Sequence, residues 1–154
     1  MNPGAHGNVP TFVTPITPTI TVVRRPAEWL LLSAAVLHLW EVDGHGRAWW
    51  GYGLFFVLIV VGQGVYSLLL PRCGGVQSFL VAGVLGNTAL IALWAWTRTL
   101  GGVPVGPHRH VEPVGLVDSV TMMLQLLAVA LLVQALTHLR AAGPAPLVAS
   151  ARTS

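Results

Sequence analysis

Charged residues are scarce in this 154-residue chain, and lysine is absent. Asp, Glu, Lys and Arg make up 8% of it, whereas 54% is hydrophobic. Soluble globular domains carry about 25% charged residues, because their surfaces face water. Eight arginines and five acids are too few to cover such a surface. The length therefore predicts a single domain, and the composition predicts that its exterior faces the lipid bilayer.

Several catalytic and binding signatures are also missing. Cys73 is the single cysteine, which excludes an internal disulfide and a Cys-x-x-Cys site. The net charge of +3 comes from scattered arginines without interleaved aromatics, which argues against nucleic acid as a partner. No serine or cysteine accompanies a histidine and an acid in a pattern typical of nucleophilic catalysis. These absences favour a protein that is not an enzyme.

Four apolar runs are long enough to cross a bilayer. About 20 helical residues, at 1.5 Å each, span the hydrocarbon core. The sequence therefore predicts an all-α bundle of four transmembrane helices, which occupies residues 26–140. The helices are expected over residues 26–42, 48–70, 76–98 and 115–139, the first being the shortest. Residues 1–25 and 141–154 are rich in small and polar residues and are predicted to be disordered tails.

The arginines predict the orientation of the bundle. With the N-terminus inside, five arginines are cytoplasmic and three lie outside, and Arg24-Arg25 directly precede the first helix. Both termini are therefore expected in the cytoplasm. Residues 43–46 (DGHG) and 71–75 (PRCGG) are then predicted as tight turns outside and inside, respectively. Arginine without lysine, with abundant Ala, Gly, Val and Leu, indicates a GC-rich bacterial origin and a multi-pass protein of the cytoplasmic membrane.

Amides within the apolar runs predict where the helices face one another. Gln63, Asn87 and Gln125 would each cost on the order of several kcal/mol if they faced lipid unpaired. We interpret them mainly as interhelical hydrogen bonds. Small residues would let the helices approach closely at Gly62, Gly64, Gly83 and Gly86.

Two charged residues lie at the predicted outer ends of the third and fourth helices. Arg98 and Asp118 are expected to form an ion pair that closes the bundle, and Thr121 shares the helix face of Asp118. An alternative function uses the same residues. A small proton-coupled transporter, acting as an oligomer, would place Asp118 and the amides along its path.

Histidines and acids gather on the predicted outer face. His38 and Glu41 lie three residues apart on one helix face, and His45, His108 and His110 follow in the outer loops. Imidazole and carboxylate are ligands for Zn²⁺, Cu²⁺ or iron, so a metal-binding protein is a second alternative, although the spacing matches no tight motif. A haem between His38 and His138 is disfavoured, because the two lie a membrane thickness apart.

Three groups of residues resemble an uncharacterised family of small bacterial four-helix integral membrane proteins. They are WWGYGLFF at 49–56, GN at 86–87 with TRTLG and PVGP at 97–101 and 104–107, and EPVGLVD at 112–118. The resemblance covers roughly residues 28–139 and implies a fold and a membrane location, but no activity. The small size, the glycine-rich helix faces and the lack of a catalytic motif favour a non-enzymatic accessory, interaction or scaffold module. Its expected partners are the bilayer and either further copies of itself or a larger membrane complex.

Overall fold

The computed structural model describes residues 18–102, 105–107 and 111–142. They form the α-helices α1 (Pro18–Ala48), α2 (Trp50–Cys73), α3 (Gln77–Trp96) and α4 (Leu116–Ala141), and a π-helical segment, Thr97–Gly101, continues α3. Helix α1 packs against α2 and α4, and α3 packs against α4. The prediction of an all-helical protein is confirmed. The predicted tails at 1–17 and 143–154 lie outside the described residues, as do His108 and His110.

Three of these segments are long and apolar enough to cross a membrane. They are Trp50–Cys73, Gln77–Gly101 and Leu116–Ala141. Large apolar side chains are exposed along them, such as Leu58 and Leu85, as expected for surfaces that face lipid. Helix α1 is not among the three. It carries more polar residues than the others, including Glu28, His38 and Glu41.

Helix α1 extends beyond the predicted 26–42 in both directions. Residues 18–25 were expected in a tail, but they are helical from Pro18, because Val23 is only 8% exposed and belongs to the hydrophobic core. Pro26 therefore lies inside the helix, where it removes one backbone hydrogen bond. Burial of Val23 and Ala27 on either side of Pro26 offsets part of that penalty.

The predicted turn at residues 43–46 is also helical. Arg47 Nη2 lies 2.6 Å from Asp43 Oδ2, and His45 Nδ1 lies 3.0 Å from the carbonyl oxygen of Glu41, both pairs being one helical turn apart. The chain reverses at Trp49 instead, which has an extended backbone. The expectation of a turn at 43–46 was wrong, because Gly46 packs against α2 within a continuous helix.

Gly46 and Gly53 let α1 and α2 approach closely. A Cβ added to Gly53 would lie 2.8 Å from Cα of Gly46, which real side chains do not tolerate. Close approach was expected at four further glycines, and the structure shows it at one of them, Gly83, where a Cβ would meet the Tyr66 ring. At the other three, a Cβ would meet nothing within 4 Å; these are Gly62, Gly64 and Gly86.

The hydrophobic core lies towards the turn between α2 and α3. Leu31, Leu70, Leu80 and Leu132 are fully buried there, one from each helix. Tyr66 stacks on Phe79 at a centroid distance of 4.4 Å and joins α2 to α3. The polar side chains collect at the opposite end of the bundle.

Replacing Gly53 by alanine tests this packing. We expect Gly53→Ala to reduce the free energy of unfolding by about 1–3 kcal/mol, since the added methyl group must push α1 away from α2. The matched control is Gly62→Ala, where the methyl group meets nothing within 4 Å, and it should retain or slightly raise stability. Thermal unfolding in detergent measures both. Equal midpoints for the two variants would contradict the close approach at Gly53.

Candidate functional site

A cavity of about 370 Å³ lies between the helices, at the end where α1 and α3 finish and α4 begins. Its wall is largely aromatic and aliphatic, and it also contains charged and polar side chains. The apolar lining consists of Tyr52, Phe55, Phe56, Ile59, Leu90, Leu93, Trp94 and Met122. The remainder consists of His38, Glu41, Gly44, His45, Ala48, Thr97, Arg98, Glu112, Asp118 and Thr121.

His38 is the most buried of the predicted metal ligands that the structure describes. Its side chain is 6% exposed, and its Nε2 lies 3.1 Å from Gln125 Nε2 on α4. An amide nitrogen donates and cannot accept, so it donates to the imidazole. The ring also packs against Phe56, with a centroid distance of 5.7 Å. His38 thus joins α1, α2 and α4 behind the cavity.

His45 and Glu41 lie closer to the end of α1. His45 Nδ1 is 3.0 Å from the Glu41 carbonyl oxygen and 3.4 Å from its Oε2. The centroid of the His45 ring lies 4.3 Å from that of Phe56, so both histidines pack against the same aromatic ring. Phe56 is not among the predicted site residues, because an aromatic residue in an apolar run looks like any core residue.

Arg98 and Asp118, which also line the cavity, form an ion pair between the end of α3 and the start of α4. Arg98 Nη2 donates to Asp118 Oδ2 over 2.7 Å, and Nη1 donates to Thr97 Oγ1 over 3.1 Å. The backbone N–H of Gly115 donates to the same carboxylate oxygen over 3.3 Å, at the start of α4. The π-helical turn carries Arg98 to this position, as such turns often do at functional sites. Thr121 lies one turn below Asp118, with its hydroxyl bonded to the carbonyl of Val117.

Two hydrogen-bond donors on the cavity wall are buried without a partner among the described residues. They are Nε1 of Trp94 and Nε of Arg98. A buried donor without an acceptor costs about 1–3 kcal/mol. Gln125 Oε1 is likewise unpartnered, but Gln125 does not line the cavity.

A loop segment packs over the aromatic edge of the cavity. Gly106 has φ +98°, and a Cβ there would lie 2.6 Å from the Tyr52 hydroxyl oxygen. Glycine is required because it tolerates this backbone conformation and leaves room for Tyr52. Farther along, the N–H of Glu112 donates to the carbonyl oxygen of Thr97 over 3.2 Å. These contacts bring the connection between α3 and α4 back onto the bundle.

The remaining amides form a separate pair, deeper in the bundle. Gln63 Nε2 donates to Asn87 Oδ1 over 2.8 Å, and Asn87 Nδ2 donates to the Gly83 carbonyl oxygen over 2.8 Å. Both side chains are buried, and neither lines the cavity. The structure therefore separates residues that the transporter hypothesis placed along one path.

The predicted metal ligands come together only in part. His38, Glu41 and His45 all line the cavity, whereas His108 and His110 lie outside the described residues. Within residues 18–102, 105–107 and 111–142, no three His, Cys, Asp or Glu side chains are grouped closely enough to hold a metal ion. The metal site therefore stays a prediction. His138 lies in the last turn of α4, at the other end of the bundle.

No family model, curated protein or solved structure matches this chain. The likeness to small bacterial four-helix membrane proteins thus stays a resemblance, and functional inference starts from the cavity.

Neutralising Asp118 tests the part that the ion pair plays in holding the cavity wall. We expect Asp118→Asn to reduce the free energy of unfolding by about 2–4 kcal/mol, because it leaves the largely buried Arg98 charge unpaired. The control is Asp43→Asn, whose partner is Arg47 and whose side chain is 73% exposed. Exposed pairs contribute less than about 1 kcal/mol, so that variant should unfold nearly as wild type. Denaturant titration in detergent compares them, and equally small losses would argue against a structural ion pair.

Proposed function

We propose that this protein is a non-enzymatic membrane protein that binds a small, largely apolar molecule in the cavity between its helices. The observation that carries the proposal is the cavity itself, with its aromatic and aliphatic wall and the two unpartnered donors beside it. Binding sites for small molecules occupy roughly 300–1,000 Å³ and combine mostly apolar walls with a few polar groups. This cavity has that size and composition.

The state of the cavity's acids favours binding over catalysis. Three acids line the cavity, namely Glu41, Glu112 and Asp118. Asp118 already accepts hydrogen bonds from Arg98 and Gly115, and Glu41 lies against His45. A general acid or base must be free to exchange a proton with its substrate. The carboxylates of Asp118 and Glu41 instead interact with neighbouring residues, which favours a structural role in the cavity wall. An accessory or interaction role is compatible with such a binding site.

We further propose that α1 is a fourth membrane span, with both termini in the cytoplasm of a bacterium. Its polar residues His38 and Glu41 line the cavity, while Val36, Leu39 and Trp40 are exposed on its surface. Lipid would therefore meet mainly apolar side chains along this part of α1. Arg24-Arg25 near its other end support a cytoplasmic N-terminus.

Thiol labelling in spheroplasts tests this topology. A membrane-impermeant maleimide should label Asp43→Cys in a Cys73→Ser background, because residue 43 would lie outside. It should label Cys73, or Val22→Cys in that background, only after permeabilisation. Labelling of denatured protein is the control for thiol reactivity. Labelling of both Val22→Cys and Asp43→Cys in intact spheroplasts would show that α1 does not cross the membrane, and labelling of Val22→Cys alone would overturn the cytoplasmic N-terminus.

A plugging variant tests binding in the cavity. Gly44 lines the cavity, and a Cβ there meets nothing within 4 Å, so Gly44→Phe should fill space without disturbing the helix. Gly86 has equal room but lies outside the cavity on α3, which makes Gly86→Phe the matched control. We expect wild type and Gly86→Phe to bind the two-ring hydrocarbon tetralin saturably, and Gly44→Phe to lose this binding at least tenfold.

Isothermal titration calorimetry, with identical detergent in cell and syringe, measures this binding. Partition of tetralin into micelles gives the same heat for all three proteins, so the difference reports the cavity. Identical titrations for wild type and Gly44→Phe would overturn the proposed function.

A further inference from the structure

We infer that the molecule bound in this cavity is an organic cation with an apolar ring body, and that its positive charge lies among the carboxylates of Glu41, Glu112 and Asp118. The inference rests on the proposed binding function and names the chemical class of its ligand.

Negative charge exceeds positive charge on the described cavity wall. Three carboxylates and one guanidinium line it, those of Glu41, Glu112, Asp118 and Arg98. His38 accepts a hydrogen bond from Gln125 at Nε2, so its ring is neutral. The described lining therefore has a net charge of −2 when His45 is neutral and −1 when His45 is protonated. In either state the wall attracts a cation, since a cleft with low-dielectric walls concentrates the field of its charges.

The charged residues lie where this cavity meets a second one. The second cavity has a volume of about 350 Å³, and it opens at the surface, because Val114 and Leu116 on its wall are 58% and 81% exposed. The residues common to both cavities are Glu41, His45, Arg98, Glu112 and Asp118. No other described residue on the wall of the first cavity carries a charge. A bound cation would therefore place its charge at this junction and its apolar part in the first cavity.

The existing ion pairs favour a cation over an anion. Arg98 Nη2 lies 2.7 Å from Asp118 Oδ2, so the guanidinium on the wall already has a carboxylate partner. His45 Nδ1 likewise lies 3.4 Å from Glu41 Oε2. An anion would have to compete with these carboxylates and would also meet Glu112. A cation is attracted by all three acids and repelled by one guanidinium.

The spacing of the acids favours an organic cation over a metal ion. A bound metal ion needs several ligand atoms within about 2.0–2.6 Å. Among residues 18–102, 105–107 and 111–142, no three His, Cys, Asp or Glu side chains are close enough to supply them. An ammonium group needs no such shell, because Coulomb attraction falls only gradually with distance. Carboxylates distributed around the junction therefore suit an ammonium group.

The aromatic part of the wall fits the remainder of such a ligand. Tyr52, Phe55 and Phe56 line the cavity from α2, and Trp94 lines it from α3. Phe55 and Phe56 contact each other, with ring centroids 5.8 Å apart. The face of an aromatic ring attracts a cation, and a rigid ring system binds to apolar surface with little loss of conformational freedom. The wall therefore favours an ammonium group that is attached to a ring system.

Three ring compounds that differ in one substituent isolate the charge. At neutral pH, 2-aminotetralin carries an ammonium group, tetralin-2-carboxylic acid carries a carboxylate, and 2-tetralol carries a neutral hydroxyl group at the same carbon. Calorimetry in a non-ionic detergent, with partition heats subtracted, measures their affinities. We expect wild type to bind 2-aminotetralin about five to ten times more tightly than 2-tetralol. It should bind the carboxylate more weakly than 2-tetralol, because three acids repel it.

Neutralising one carboxylate at a time tests where the charge of the ligand lies. Glu41→Gln and Glu112→Gln keep the side-chain shape, and each should weaken binding of 2-aminotetralin about threefold or more. Both variants should bind 2-tetralol as wild type does, which also shows that the cavity has folded. The matched control is Asp43→Asn, because Asp43 is 73% exposed and lines neither cavity. This control should bind all three probes as wild type does.

The outcomes separate the inference from the function on which it rests. Equal affinities for the three probes, all abolished by Gly44→Phe, would overturn the cationic ligand and leave the binding function standing, as would tighter binding of the carboxylate. A preference for 2-aminotetralin that survives undiminished in both Glu41→Gln and Glu112→Gln would overturn the position of the charge. Failure of wild type to bind tetralin and all three probes would overturn both proposals.

Discussion

The ion pair between Arg98 and Asp118 ties the end of α3 to the first turn of α4, and the cavity depends on that contact. Asp118 also accepts the N–H of Gly115, so one carboxylate starts α4 and anchors the guanidinium. Since Arg98 is only 11% exposed, its charge could not stay in place without this partner. The same pairing leaves Nε of Arg98 unengaged. A contact that the sequence indicates as a structural clamp thereby also contributes charged groups to the cavity wall.

The helices of this fold could be predicted because length and hydropathy are local properties of the chain. The ends of the helices could not be predicted where they depend on a contact with a residue far away in the sequence. The DGHG segment at 43–46 has a composition typical of turns, and its helical conformation depends on Gly46 facing Gly53 across the interface with α2. Likewise, α1 extends back past residue 26 because Val23 packs in the hydrophobic core. No pattern within either segment records those neighbours.

Several residues of the site could be predicted from the sequence, whereas the contacts between them could not. Arg98 and Asp118 stand out because a charge beside an apolar run needs a partner. That Gln125 reaches His38, 87 positions away, follows only from the packing of α1 on α4. Trp94 lies four residues before Arg98 and could be interpreted as a site residue or, because tryptophan is common near the ends of membrane helices, as an anchor at the lipid interface. Burial of its N–H without a partner distinguishes the two interpretations.

The low hydropathy of α1 has a physical explanation in the same cavity. An average over residues treats every side chain as if it faced lipid, yet His38 and Glu41 line an internal cavity. Leu39 and Trp40, which follow His38 directly, are more than half exposed. A helix that supplies polar groups to an internal site must lose mean hydropathy while its outer surface stays apolar. The low mean hydropathy of α1 is therefore compatible with the proposed fourth span and with the proposed binding site in the cavity.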